Sequence, residues 1–157
     1  MDNKIRMTEE EKEIKQGNFI EWTTFIEDRV DEWSKSVKAE LSNKLDYSPD
    51  SLLAIEEYIL SNFTKDSLSD EQCKMQIDAT ISYYAETLLR NLPESFWFLD
   101  LDDESSYFYN LPSIKTPIGT MICPHKLLPR LIHKNKGTFL FDFFKKRLGF
   151  IKNPETY

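Results

Sequence analysis

The sequence predicts an α+β domain: three N-terminal helices, a small antiparallel sheet of two or three strands, and two short helices that close the core. Three observations carry that prediction. Apolar residues recur at steps of three or four from Phe19 to Leu88. The period shortens after Pro93, where the aromatic run Phe96-Trp97-Phe98 is β-prone and too short for a helix. No segment alternates strand with helix in the manner of a parallel βαβ sheet.

The elements follow in chain order. Residues 1–16 read as a charged arm in which Thr8 and Glu11 can form a capping box. Gly17-Asn18 is expected to interrupt it, with Asn18 as N-cap. Phe19, Trp22, Ile26, Val30, Trp33, Val37 and Leu41 then mark one face of a long helix over 18–44. Ser48 and Pro49 suit the start of a second helix, which runs to about residue 63 on Leu52, Leu53, Ile55, Ile59, Leu60 and Phe63. Ser69 with Gln72 offers a capping box for a third helix over 70–91, marked by Cys73, Ile77, Ile81, Tyr84 and Leu88 and stopped by Pro93.

A hairpin is expected over 95–110, with Tyr107-Phe108-Tyr109 as the returning strand and Asp102-Asp103-Glu104-Ser105 as its turn. Ile118 to Ile122 fits a short edge strand. Pro124 opens a helix carrying Leu127, Leu128, Leu131 and Ile132, and Pro129 either kinks it or marks its first turn. Thr138 can cap a last helix with Phe139, Leu140, Phe143, Phe144 and Leu148, ending at Gly149 as the C′ residue. The domain is therefore expected to span 17–152, with 153–157 as a tail.

At 157 residues the chain has the size of one domain. It can bury about 70% of the surface its unfolded form exposes. Charged residues at 30% and hydrophobic residues at 40% are a globular balance. With 11 Phe the core should be aromatic-rich, and with 4 Gly a Gly-rich phosphate loop is disfavoured. Two cysteines do not make a disulfide framework. The charged start has no apolar signal region, and no apolar run reaches the roughly 18 residues of a membrane span, so the expected compartment is the cytoplasm.

The net charge of −7 hides a segregation. Between Lys126 and Lys152 eight basic residues face only Asp142, a net of +7. The rest of the chain holds 12 basic and 26 acidic residues, a net of −14. Such separation bears on partners, internal or external, and not on fold.

Four groups bear on chemistry. Cys73, Cys123, His125 and His133 are of zinc-binding type but lack any paired C-x-x-C spacing, so no metal or other cofactor is expected. Cys123 and His125 could serve a thiol-dependent enzyme, yet nucleophile and base ordinarily meet through the fold and not two residues apart. Asp100, Asp102, Asp103 and Glu104 lack the Gly of a calcium loop and better suit a basic protein partner. Lys145, Lys146 and Arg147 beside Phe143-Phe144 could meet phosphate or nucleic acid. The Phe spacing instead suits a core, and the acidic chain is a poor nucleic-acid binder, so this segment is expected beside the acidic N-terminal helices. Glu56-Glu57 read as structural, and Glu86 with Arg90 as an i,i+4 ion pair that can lock the third helix onto the hairpin.

The C-terminal half carries a family resemblance. Tyr83-Tyr84-Ala85-Glu86-Thr87-Leu88-Leu89-Arg90-Asn91 leads into Phe96-Trp97-Phe98. Ile118-Gly119, Pro124, Leu128 and Arg130 follow, and then Leu140-Phe141-Asp142-Phe143-Phe144. This order resembles that of small bacterial domains of unknown function, in which a helix with a glycine-glutamate pair precedes a Trp-containing strand and a proline-opened helix. Ala85 stands where that pattern has glycine. Some such domains look like immunity proteins encoded near secreted toxins. The resemblance therefore implies a non-catalytic protein-binding domain, with another protein as partner and no membrane.

Overall fold

The computed structural model describes residues 6–156. Among them are seven α-helices and a three-stranded antiparallel sheet, so the fold is α+β, with more helices than the sequence reading has. The helices are α1 (Glu9–Thr24), α2 (Ile26–Ser34), α3 (Ala39–Ser42), α4 (Ser51–Asn62), α5 (Lys74–Asn91), α6 (Pro124–Lys134) and α7 (Phe139–Lys152). The strands are β1 (Phe96–Phe98), β2 (Ser113–Lys115) and β3 (Met121–Ile122). No helix among the described residues is long and apolar enough to cross a membrane.

The single helix expected over 18–44 is three helices. The first starts early, because Thr8 and Glu11 form the full capping box: Thr8 Oγ1 accepts the Glu11 N–H at 3.1 Å and Glu11 Oε2 accepts the Thr8 N–H at 3.0 Å. Such a cap is worth about 1 kcal/mol. It offsets Gly17, which the helix absorbs at a cost of about 1 kcal/mol. The domain boundary expected at 17 thus falls inside α1. The break comes at Phe25, after Thr23 and Thr24 both turn their hydroxyls onto the Ile20 carbonyl at 3.0 and 2.6 Å. Side chains that bond back to the ladder compete with it. The apolar stripe survives the break, and Phe19, Ile26, Val30 and Trp33 are all buried.

The loop after α4 is two 3-10 turns, Lys65–Ser69 and Glu71–Cys73. Asp70, not Ser69, caps there by accepting the Gln72 N–H at 2.9 Å. Helix α5 lies at the centre: α2, α4 and α6 all pack on it. Tyr83, Tyr84, Ala85 and Leu88 are fully buried along it. Arg90 corrects the expected lock. It ties α5 to α2 through Glu27, pairs with Glu86 at 2.9 Å, and lies 3.9 Å from the Tyr47 ring centroid, so it fastens helix to helix and to the α3–α4 loop, not to the hairpin.

The returning strand of the hairpin is also corrected. β1 pairs with β2, placing Phe96 opposite Lys115, Trp97 opposite Ile114 and Phe98 opposite Ser113; β3 covers the other edge of β2. Tyr107–Tyr109 belong to the intervening loop and touch the sheet through one bridge, Asp100 to Tyr109. Asp100 ends the pairing early because its carboxylate accepts the N–H groups of Asp102 and Asp103 at 3.0 and 3.1 Å. That is turn chemistry, and it diverts the chain before Tyr107 can come back alongside β1.

At the C-terminus, α6 runs through Pro129 without ending, and Asn135 closes it in the left-handed region at φ 49°. Helix α7 continues past Gly149 to Lys152. Thr138 does not cap it, because its hydroxyl bonds to Asp142 at 2.9 Å. Glu56 of α4 does so instead. Fully buried, it accepts the N–H of Phe139 at 2.9 Å and of Leu140 at 2.8 Å. α7 thereby packs on α4 and α6, as its Phe spacing requires. The charge pairing expected between this basic segment and the acidic N-terminal helices is not formed: Lys145, Lys146 and Arg147 make no ion pair among the described residues and lie along phenylalanines of their own helix.

Candidate functional site

The break between α1 and α2 lets Trp22 and Arg29 converge on α5. Arg29 Nε lies 3.3 Å from Asp78 Oδ2 and 3.3 Å from Ser82 Oγ, and its Nη2 donates to the Trp22 carbonyl at 2.7 Å. Trp22 Nε1 donates to the other carboxylate oxygen of Asp78 at 3.1 Å. Asp78 and Ser82 stand one turn apart on α5 and so present side by side. The guanidinium carbon sits 5.1 Å from the Trp22 ring centroid. The indole also packs against Trp97 at 5.5 Å and His125 at 5.2 Å. Five elements, α1, α2, α5, β1 and α6, thus meet around one partly buried ion pair. With Arg29 26% and Asp78 35% exposed, solvent screening holds the Coulomb part to about 1 kcal/mol.

A cleft of about 560 Å³ opens beside this network, with Asp70, Glu71, Lys74, Met75, Asp78 and His125 in its lining. His125 Nδ1 is buried without a hydrogen-bond partner among the described residues. Burial holds the imidazole below its ordinary pKa of 6.5; Asp78 opposes that shift and Arg29 reinforces it. The ring is therefore neutral at neutral pH. Its folded pKa lies below the unfolded one, so its contribution to stability is complete above about pH 6.5 and is lost as the pH falls from there. The denaturation midpoint should accordingly fall less between pH 7.5 and 5.5 in His125→Gln than in the native chain. Equal pH slopes in the two proteins would contradict this assignment.

The residues expected from sequence are placed as follows. Cys123 is 4% exposed at the start of α6. Burial pushes its thiol up and outweighs the amides of Lys126 and His125, which pull the other way. That is the opposite of what a thiolate nucleophile needs. Cys73 and Cys123 are both free thiols. Among the described residues no three His, Cys, Asp or Glu gather to hold a metal ion.

The acidic loop is fastened down. Asp100 holds the turn, Asp103 Oδ1 accepts from the N–H and hydroxyl of Ser105 at 3.1 and 2.6 Å, and Asp102 pairs with Lys12 of α1 at 3.0 Å. Lys126 pins the far side by donating to the Tyr107 carbonyl at 2.9 Å. A cleft of about 620 Å³ between the loop and the start of α1 is lined by Glu9, Asp102, Asp103 and Glu104 together with Arg6 and Lys12, and Lys12 lies within ion-pair distance of both Glu9 and Asp102. The structure therefore joins Asp102, Asp103 and Glu104 to a second acidic segment, the first turn of α1. It leaves Asp100 to the backbone.

Sequence reading missed Arg29 and Asp78 as a pair. One signal was present: Asp78 is the sole acid between Glu71 and Glu86, and Arg29 the sole base between Lys15 and Lys35. A half-buried charge needs a partner of opposite sign, and each of these is the sole charge of its sign in its segment. Trp22 read as one more stripe residue, because a ring that packs and also donates leaves no separate mark in periodicity. No family model, curated protein or solved structure matches this chain.

Proposed function

We propose that this chain is a non-catalytic protein-binding domain that captures a basic partner on its acidic face, in the manner of an immunity-type inhibitor of a toxin. The observation that carries this reading is the Lys12–Asp102 pair, which sets the acidic first turn of α1 beside the acidic loop so that Glu9, Asp102, Asp103 and Glu104 line one cleft. Helix α1 supports it. Of its 16 residues only Phe19 is buried, and Ile14 and Ile20 remain 58% and 54% exposed among Glu10, Glu13 and Glu21. Apolar area framed by charge is the make-up of an interface that recognises a charged partner. Matching charge would speed capture and reject like-charged competitors. The resemblance to immunity-like bacterial domains points the same way. A thiol enzyme using Cys123 and His125 has less in its favour, given the raised thiol.

The test uses the tagged full-length chain and the double variant Glu9→Lys/Glu104→Lys, which leaves the Asp100 and Asp103 turn bonds intact. Both are co-expressed with the product of any toxin-like reading frame adjacent to its gene. Complex formation should weaken about tenfold in the variant and fall steeply with salt in the native chain. A complex that forms equally well with both proteins would sink the assignment to this face.

A further inference from the structure

A second cleft, of about 470 Å³, lies where α6 packs on the 3-10 turn Lys65–Ser69. Its apolar walls are Leu68, Pro129 and Ile132, and its polar groups are Lys65, Arg130, His133 and Lys134. No carboxylate lines it, in a chain that carries 27 acidic residues. None of the three cations forms an ion pair among the described residues; Arg130 only lies 5.5 Å from the Phe139 ring centroid.

Local structure accounts for part of this arrangement. Lys134 sits in the last turn of α6, where a cation meets the negative end of the helix dipole. That end is equivalent to about half an elementary charge, so it cannot balance three full ones. Arg130 and Lys134 are also one turn apart on the same face, where like charges repel. The fold therefore sets unpaired positive charge around an apolar recess, at a small cost to itself.

From this we infer that the cleft binds a small amphiphilic anion, with a carboxylate or phosphate head held by Arg130, Lys65 and Lys134 and a short alkyl body against Leu68, Pro129 and Ile132. An anion neutralises the repulsion, and the walls lose water to its chain. Inorganic phosphate satisfies the head alone and an alkyl alcohol the body alone, so neither should bind comparably. The site lies apart from the acidic face and does not depend on a protein partner.

The full-length chain is titrated with octanoate and with octyl phosphate, following backbone amide shifts by NMR, with octanol, inorganic phosphate and octylamine as controls. Octanoate or octyl phosphate should move the amides of 65–68 and 130–134, and whichever binds tighter identifies the head group. Arg130→Glu and the pair Lys65→Glu/Lys134→Glu, all at exposed positions, should each weaken binding by about tenfold while the remaining spectrum stays native. The inference is overturned if neither amphiphile shifts these amides, if charge reversal leaves binding unchanged, or if octylamine binds as well. Preference for a Glu-rich peptide or an anionic vesicle over both single-chain amphiphiles would overturn it too, by making the cleft part of a macromolecular surface.

Discussion

Replacing Glu56 by alanine is expected to remove about 3 kcal/mol of stability, one of the two largest losses anticipated for a single side chain here. Phe139 and Leu140 supply the first two N–H groups of α7, which have no acceptor within their own helix. Glu56 is fully buried and gives one oxygen to each. A hydrogen bond to a charged group is worth about 1.5–3 kcal/mol net. The positive end of the helix adds to both bonds. Burying the side chain takes back part of this gain, but truncation does not recover that part cleanly, because two donors then stay inside with no acceptor. For a chain of this length the loss corresponds to a fall in Tm of about 10 °C. Glu56→Gln keeps one acceptor and should lie between the two. Thr138→Ala should be near neutral, since that hydroxyl serves Asp142. Thermal melts of the three variants decide the matter, and an alanine variant within about 0.5 kcal/mol of native would show that water replaces the carboxylate easily.

The same bond shows what sequence reading reaches and what it does not. Glu56 stands one residue after the buried Ile55, and local pattern alone offers no reason for a carboxylate there. The reason lies 83 residues away at Phe139. The stripe from Phe19 to Trp33 was legible because burial follows helical period, and a one-residue break at Phe25 hardly disturbs the period. The break itself was not legible, since Thr23 and Thr24 compete with a carbonyl that any helix would present. Phe96–Phe98 announced a strand through its aromatics. Tyr107–Tyr109 announced one for the same reason, wrongly, because Asp100 and the Lys126 clamp on Tyr107 settle that loop before propensity acts. The true partner, Ser113–Lys115, was hidden behind Pro112, which blocks a ladder only when it lies within it. In the candidate site, His125 and the acidic loop were visible as residue types. Their surroundings, Arg29 with Asp78 and Lys12 with Asp102, are pairings made by the fold.

Tyr83 is expected to rival Glu56, with about 2 kcal/mol lost in Tyr83→Phe and about 4 kcal/mol in Tyr83→Ala. Its hydroxyl donates to Ser51 Oγ at 2.7 Å and accepts the Tyr47 N–H at 3.1 Å, so one fully buried oxygen joins α5, α4 and the loop between α3 and α4. Its ring stacks on Tyr47 at 5.0 Å. Tyr47 is held at φ 60°, a conformation that costs a bulky residue about 1–3 kcal/mol. The Tyr83 hydroxyl, the Asn91 side chain on the Tyr47 carbonyl at 2.8 Å and the Arg90 guanidinium over its ring together offset that strain. Phenylalanine keeps the stack and leaves the Tyr47 N–H and Ser51 without their partner; alanine also opens a cavity. Because the hydroxyl acts partly by holding a strained residue, its effect should be coupled to that strain. In a Tyr47→Gly background, where the left-handed backbone is free of penalty, the further loss from Tyr83→Phe should shrink by about half. Denaturant titrations of the four proteins in that cycle test this. Strict additivity would mean that the Tyr83 hydroxyl stabilises the protein through its two hydrogen bonds alone and that the strain at Tyr47 is held without it.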